Sequence, residues 1–448
     1  MEDVDTLIHA RWVIPVEPHG AVWEDHSVAV RGGRIEAILP RAEAEARYRA
    51  ERVTELPEHA VIPGLINAHT HAAMTLMRGL ADDLPLMEWL QRHIWPAEAR
   101  WISAEMVHDG SQLAVAEMLR GGVTCFNDMY FHPDVAARAA SQAGMRAVVG
   151  LIVLDFPTPW AADAEEYLHR GLEVHDQVRG NPLVTTAFAP HAPYTVSDAP
   201  LERVAMYAEE LDVPIHIHVH ETRDEVNQGL EQHDKRPLAR MDALGLVSPR
   251  LVAVHFTQVA EGEIDLLADR GAHVVHCPES NMKLASGFCP TVELRRAGVN
   301  VALGTDGAAS NNDLDLIGET RTAALLAKAV ADDAAALPAA DALRMATLNG
   351  ASALGLDSEL GSLEPGKAAD LVAVDLGDIE GCPHYHPVSH LVYATTRDKV
   401  SDVWVAGRHV LKERHLTTLD EAALRAQAQQ WQGRIADSDA RAQEADHG

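Results

Sequence analysis

Hydrophobic and polar positions alternate through the first part of the chain, in TLIHARWVIPV and in AVWEDHSVAVRGGRIEAIL. Such alternation belongs to antiparallel strands with one face in water, and Gly32-Gly33 between two of the runs predicts a hairpin. From Val61 the pattern changes to short, continuous apolar runs separated by stretches of helical period, the signature of parallel βαβ units. Eight strands are predicted: Val61 to His69, Val123 to Asp128, Arg146 to Asp155, Leu183 to His191, Val213 to Glu221, Leu251 to Phe256, Ala272 to Pro278 and Val299 to Asp306. Segments such as SAEMVHDGSQLAVAEMLRGG and Pro200 to Leu211 supply helices between them. Eight strands with intervening helices predict a (β/α)8 TIM barrel in the α/β class. The rival is an open doubly wound sheet, which would carry a Gly-rich phosphate loop after its first strand, and none is present there.

After about residue 360 the strand-and-turn character returns, in GSLEPGKAADLVAVDL and in KVSDVWVAGRHVL, with Ala406-Gly407-Arg408 as a tight turn. The two ends are therefore expected to build one small β-sandwich domain, from residues 1–60 and 361–448, beside a barrel spanning 61–360. From Glu421 the chain reads as an Ala/Gln-rich helix that frays into a charged tail.

Composition adds few constraints. The 448 residues are 47% hydrophobic and 23% charged, enough for a large core. A formal charge of -30 excludes a general phosphate-backbone binder, so no nucleic-acid partner is expected. It leaves room for a nucleoside, which carries no phosphate. The four cysteines lack CxxC spacing, so neither a disulfide framework nor a thiolate zinc site is expected, and Cys277 reads as a buried apolar residue. The acidic N-terminus lacks a signal-peptide layout and no apolar run is long enough to span a bilayer, which makes a cytoplasmic protein without membrane contact the expectation. A homo-oligomer is compatible with all of this, a dimer being the common form.

The chemistry is concentrated at predicted strand ends. His69 and His71 project to one side of the first strand, since alternate strand residues share a face. With 25 histidines in the chain, one such pair could be accidental. But His191 ends the fourth strand, His216, His218, His220 and Glu221 crowd the fifth, His255 ends the sixth and Asp306 the eighth. In barrels of this kind functional groups sit at the C-terminal strand ends, and neutral imidazoles there point to a metal site. Alternation alone does not choose among His216, His218 and His220, which all face one way on an ideal strand.

The strings PGLINAHTH, HxxE after the fifth strand, a lone His after the sixth and GTDGAASNN after the eighth resemble the amidohydrolase superfamily. Within it, NAHTHAAMTLMRGLADDLPLMEWL and GTDGAASNN are similar to the 5'-methylthioadenosine/S-adenosylhomocysteine deaminases, and LEPGKAADLV extends the resemblance to the outer β segments. The resemblance implies one divalent metal per subunit held by His69, His71, His218 and Asp306. Zinc is the first expectation, and iron or manganese also suits such ligands. The family offset of three residues before the catalytic glutamate selects His218 with Glu221, leaving His216 and His220 as packing or supporting groups. Some relatives bridge two metals with a modified lysine at the end of the fourth strand; here that strand runs into APHAPYTV with no lysine, which favours one metal. The implied reaction is hydrolytic deamination of an adenine nucleoside, with Glu221, His255 and Asp306 catalytic. Trp89, Glu98, His191 and Ser310 are the implied substrate contacts.

Chlorotriazine hydrolases and guanine-type deaminases share most of these motifs and stand as alternatives. A non-catalytic scaffold on the same fold would lack ligands, whereas all are present here. The run GLIVLDFPTPW after the third strand carries no arginine, and Arg146 lies at that strand's far end. Leu84, Leu86 and Met87 offer apolar cover instead, so 5'-methylthioadenosine is expected to outrank S-adenosylhomocysteine, whose carboxylate calls for a cation.

Overall fold

The computed structural model describes residues 1–446, with side chains as far as residue 436. Four strands come first: β1 (Glu2–Val13), β2 (Trp23–Arg31), β3 (Arg34–Pro40) and β4 (Tyr48–Pro63). Eight follow that alternate with helices: β5 (Leu65–Thr70), β6 (Val123–Asp128), β7 (Arg146–Val153), β8 (Val184–Pro190), β9 (Ile215–Val219), β10 (Leu251–His255), β11 (His273–His276) and β12 (Asn300–Leu303). Four more close the chain: β13 (Leu371–Asp375), β14 (Val400–Val405), β15 (Arg408–Lys412) and β16 (His415–Leu416). Beyond them lies the expected terminal helix, Glu421–Asp446; the charged tail expected to fray reaches past the described residues.

Strands β5 to β12 form one sheet in sequence order, each hydrogen-bonded in parallel to the next. They make the barrel that the alternation of runs predicts. The ring closes between β12 and β5, where Asp306 N–H donates to His69 C=O at 3.0 Å. Beside it the Asn67 amide accepts from Thr305 N–H at 3.0 Å and donates to its hydroxyl at 2.7 Å. Gly304 allows that approach, since a Cβ there would lie 2.8 Å from His69 Cβ. All six residues of β5 and all six of β6 are buried, as expected of parallel strands covered on both faces.

The other eight strands form a mixed sheet from both chain ends, in the order β16-β15-β14-β13-β4-β1-β2-β3. Gly32-Gly33 and Ala406-Gly407 all take positive φ, the geometry of tight hairpin turns, and Gly33 packs against Ala406. The two arms of the sheet therefore fold towards each other over a common core that includes Ile8, Val30, Leu56, Leu371 and Trp404.

One strand differs from the sequence reading. The run from Val61 to His69 is not a single strand: Val61–Pro63 ends β4, paired with β13, and Leu65 begins β5. Gly64 is the joint, its N–H donating to Asp370 C=O at 2.9 Å and its Cα facing Thr124 so closely that a Cβ would lie 1.9 Å from the Thr124 hydroxyl oxygen. Both halves are buried, so hydropathy shows no break between them. All four cysteines are free, and Cys277 is buried as expected. No helix among the described residues is long and apolar enough to cross a membrane.

Candidate active site

Strand ends bring the predicted side chains to one place. Oδ1 of Asp306 lies 3.2 Å from Nε2 of His69 and 3.2 Å from Nε2 of His71, and His218 Nε2 lies 3.3 Å from His69 Nε2. His71 Nδ1–H donates to Met129 C=O at 2.6 Å and His218 Nδ1–H to His191 C=O at 2.7 Å. Those bonds assign a proton of each ring to Nδ1; they turn Nε2 of His71 to the carboxylate of Asp306 and Nε2 of His218 to Nε2 of His69. Behind His69, its Nδ1 meets Nε2 of buried His216 at 2.8 Å, and that bond turns the remaining nitrogen of His69 to the same point. His69, His71 and Asp306 offer ligand atoms within 4.8 Å of one another, as do His69, His218 and His255.

The electrostatics favour a positive charge between these groups. Burial opposes charge on Asp306, yet bonds to His69 and His71 hold its carboxyl well below the usual carboxylate range. Burial likewise opposes protonation of His71, yet Asp306 draws its pKa up to about 9. His69 goes the other way, to about 4, chiefly through burial, and His218 is lowered by burial and then by neighbouring histidines. Ring nitrogens of His69, His71 and His218 gathered beside a buried carboxylate make a donor set of three nitrogens and one oxygen, which fits a divalent cation. Oδ2 of Asp306 is fixed from behind by the hydroxyls of Ser280 at 2.6 Å and Ser310 at 2.9 Å.

A cavity of about 500 Å³ opens beside this cluster. His71, His218, His255 and Asp306 form its floor with Glu221, and Leu86, Trp89, Glu98, Tyr130, Phe156 and Tyr194 are among its walls. Burial pushes the Glu221 carboxyl up to about 8, reinforced by the charge of Asp306. His255 Nε2 stands 3.9 Å from Glu221, its Nδ1–H donating to Asn281 Oδ1 at 2.8 Å. Burial raises Glu98, in the helix Trp95–Trp101, to about 7. Trp89 lines the cavity, but its indole N–H is already donated to Ala81 C=O at 3.1 Å. His191 also lines it and is lowered by burial to about 3, with Nδ1 3.2 Å from the Thr195 hydroxyl.

Two expectations change here. His220 does not face the way His216 and His218 do: β9 ends at Val219, and His220 takes φ +54°, which turns its ring out of the barrel onto Phe256. There its Nε2 accepts Leu238 N–H at 3.1 Å. Ser310 touches the cavity, yet its hydroxyl is engaged with Asp306. Sequence reasoning missed Ser280, Asn281 and Tyr194, and the carbonyls of Met129 and His191. The run Glu279-Ser-Asn281 just past β11, at the functional face of the barrel, was the available signal for the first two.

Imidazoles and carboxyls gathered at the C-terminal strand ends are where a (β/α)8 barrel carries its chemistry. This chain belongs to the amidohydrolase family, whose model matches residues 60–410. Within that family it groups with the 5-methylthioadenosine/S-adenosylhomocysteine deaminases: the one from Teredinibacter turnerae is 51% identical, over 96% of this chain and 98% of its own. Among solved structures, an adenosine deaminase from Xanthomonas campestris with bound Zn is 58% identical with a TM-score of 0.96, covering 97% of this chain and 99% of that one. An atrazine chlorohydrolase from Arthrobacter aurescens, 24% identical over 95% of this chain and 99% of its own, has the same fold with a TM-score of 0.89.

Proposed function

We propose that this protein is a metal-dependent aminohydrolase that converts the adenine ring of 5'-methylthioadenosine to the hypoxanthine nucleoside and ammonia, with adenosine and S-adenosylhomocysteine as further substrates. The observation that carries this reading is the contrast between two buried carboxyls on one cavity floor. Asp306 is held charged, whereas Glu221 keeps its proton to about pH 8. Environments that push two pKa values apart mark an acid and a base.

His69, His71, His218 and Asp306 would hold one divalent ion; zinc is bound in the Xanthomonas campestris relative. When bound, such an ion brings the pKa of water from about 15.7 to about 7. Asp306 takes a proton from the attacking water as the new C–O bond forms at C6 of the ring. The electron pair displaced onto N1 receives the proton of Glu221. His255, its Nδ1–H tied to Asn281, presents Nε2 to accept a hydrogen bond from the water and orient it. The proton held by Asp306 passes to the amino group, the C6–N bond breaks and ammonia leaves. The C6 hydroxyl returns its proton to Glu221, leaving the C6 carbonyl of hypoxanthine. Glu98 would accept bonds from the ribose hydroxyls, and His191 would donate a ring N–H to the purine. Trp89 would contribute apolar surface, and Ser310 would hold Asp306 while lining the pocket.

A substrate screen tests the reading. Adenine nucleosides incubated with the zinc-loaded protein should show the ultraviolet change from adenine to hypoxanthine, with equimolar ammonia. Chloride release from a chlorotriazine with no change in any adenine nucleoside would overturn it in favour of halide displacement.

A further inference from the structure

The stretch that carries Glu221 out of β9 is held in a backbone shape that a strand end does not require. His220 lies in the left-handed region at φ +54°, where a residue with a Cβ is strained, and Glu221 follows directly. Two sets of hydrogen bonds hold the turn. On the amide side, one oxygen of the Glu225 carboxyl accepts His220 N–H at 2.8 Å and the other accepts Glu221 N–H at 2.7 Å. On the carbonyl side, Thr257 N–H and Gln258 N–H each donate to His220 C=O at 3.0 Å. The Thr257 hydroxyl donates to Glu221 C=O at 2.7 Å.

Glu225 belongs to a local pattern that usually serves a helix. Thr222 is the N-cap of the helix Arg223–His233, its hydroxyl accepting Glu225 N–H at 3.3 Å, and Thr222-Arg-Asp-Glu225 has the sequence of a capping box. In that motif the glutamate reaches back to the amide of the N-cap residue itself. Here it reaches past Thr222 to the two residues before it. Glu225 is only 4% exposed, and burying a carboxylate is unfavourable unless its lone pairs are filled. The amides that fill them belong to His220 and Glu221.

We propose that Glu225 is a positioning residue for Glu221: its two carboxyl oxygens fix the amides of the turn that aims the Glu221 side chain into the cavity, while Thr257 fixes the same turn from the carbonyl side. This rests on the reading of Glu221 as the proton carrier. A role confined to capping the helix would change stability without any dependence on what residue 221 can do.

A double-substitution cycle on the metal-loaded full chain separates the two. Glu225→Gln keeps the side-chain volume and replaces one acceptor oxygen by an NH₂ group. The expected result is a kcat for the preferred adenine nucleoside lowered roughly 10- to 100-fold, with KM within about threefold and metal content unchanged. In a Glu221→Gln background the same substitution should change kcat by less than about twofold, because residues that act through one another are not additive. A wild-type kcat for Glu225→Gln, or the same fold loss in both backgrounds, would overturn the proposal. If Glu225→Gln yields no folded protein, Thr257→Val puts the same question from the carbonyl side, with the same two outcomes. Near-wild-type turnover by Glu221→Gln would instead remove the role of Glu221 itself, a failure distinct from that of the clamp.

Discussion

His216, His218 and His220 sit two apart in sequence and end in three different surroundings. His216 lies under His69, His218 beside it with Nε2 3.3 Å from that of His69, and His220 against Phe256 and the amide of Leu238. Removing each side chain should therefore have a different consequence. His218→Ala should lose most of the bound metal together with turnover. His220→Ala should keep the metal but lose stability, because the Leu238 amide would be left buried without an acceptor, at a cost of about 1–3 kcal/mol. Elemental analysis and a thermal midpoint on each variant check both halves, and a full metal complement in His218→Ala would refute the ligand set. The offset to Glu221 pointed to His218 through resemblance alone. What separates His220 from the other two rings physically is the left-handed turn it occupies, a single backbone torsion that a two-residue period does not encode.

At the scale of elements, the joint between β4 and β5 couples the mixed sheet to the strand that carries His69 and His71. Gly64 makes that joint with no room for a side chain, its nearest neighbour being the β-branched Thr124 on β6. Gly64→Ala forces β5 and β6 apart or displaces Thr124. Overpacking of this kind costs about 1–3 kcal/mol. The expected outcome is a thermal midpoint lowered by a few degrees, measured by differential scanning calorimetry on the metal-loaded protein. A midpoint equal to that of the parent would show that the joint is slack. The sequence reading merged the two strands because Val61 to Pro63 and Leu65 to Thr70 are equally buried, and membership of one sheet or another leaves no mark in hydropathy.

At the scale of the whole molecule, the distribution of charge bears on the choice of substrate. Among the described residues no Lys or Arg lines the cavity, whose walls include Leu86, Leu154, Phe156 and Pro159. Arg146, on the strand that leads to Leu154 and Phe156, is committed at the opposite end of β7: its Nε donates to Asp370 at 2.9 Å and its Nη1 to Pro182 C=O at 2.9 Å. An amino-acid tail would thus bring its carboxylate into an apolar pocket without a cation, whereas a thiomethyl group needs only apolar surface. 5'-Methylthioadenosine is expected to show a kcat/KM at least about tenfold above that of S-adenosylhomocysteine, the equivalent of about 1.4 kcal/mol. Competition between the two nucleosides measures the ratio, and equal or reversed values would contradict the charge argument.

The barrel and the return of the chain's end to its beginning were legible in the one-dimensional pattern. Runs buried on both faces read as continuous apolar strands, runs with one wet face alternate, and those two signals need only neighbouring residues. The titratable groups at strand ends were legible for the same reason, because a strand's last residues are apparent from where its apolar run stops. Tertiary structure alone decided the rest. The orientation of His71 depends on the carbonyl of Met129, that of His218 on the carbonyl of His191, and the set of Asp306 on hydroxyls from Ser280 and Ser310. The turn before Glu221 depends on Glu225 and Thr257. Met129, His191, Ser280 and Thr257 lie past the ends of other strands, tens of residues away, and the first two act through main-chain carbonyls that every residue type supplies. No pattern of side chains along the chain can announce those two carbonyls; they come into place only once the barrel has closed.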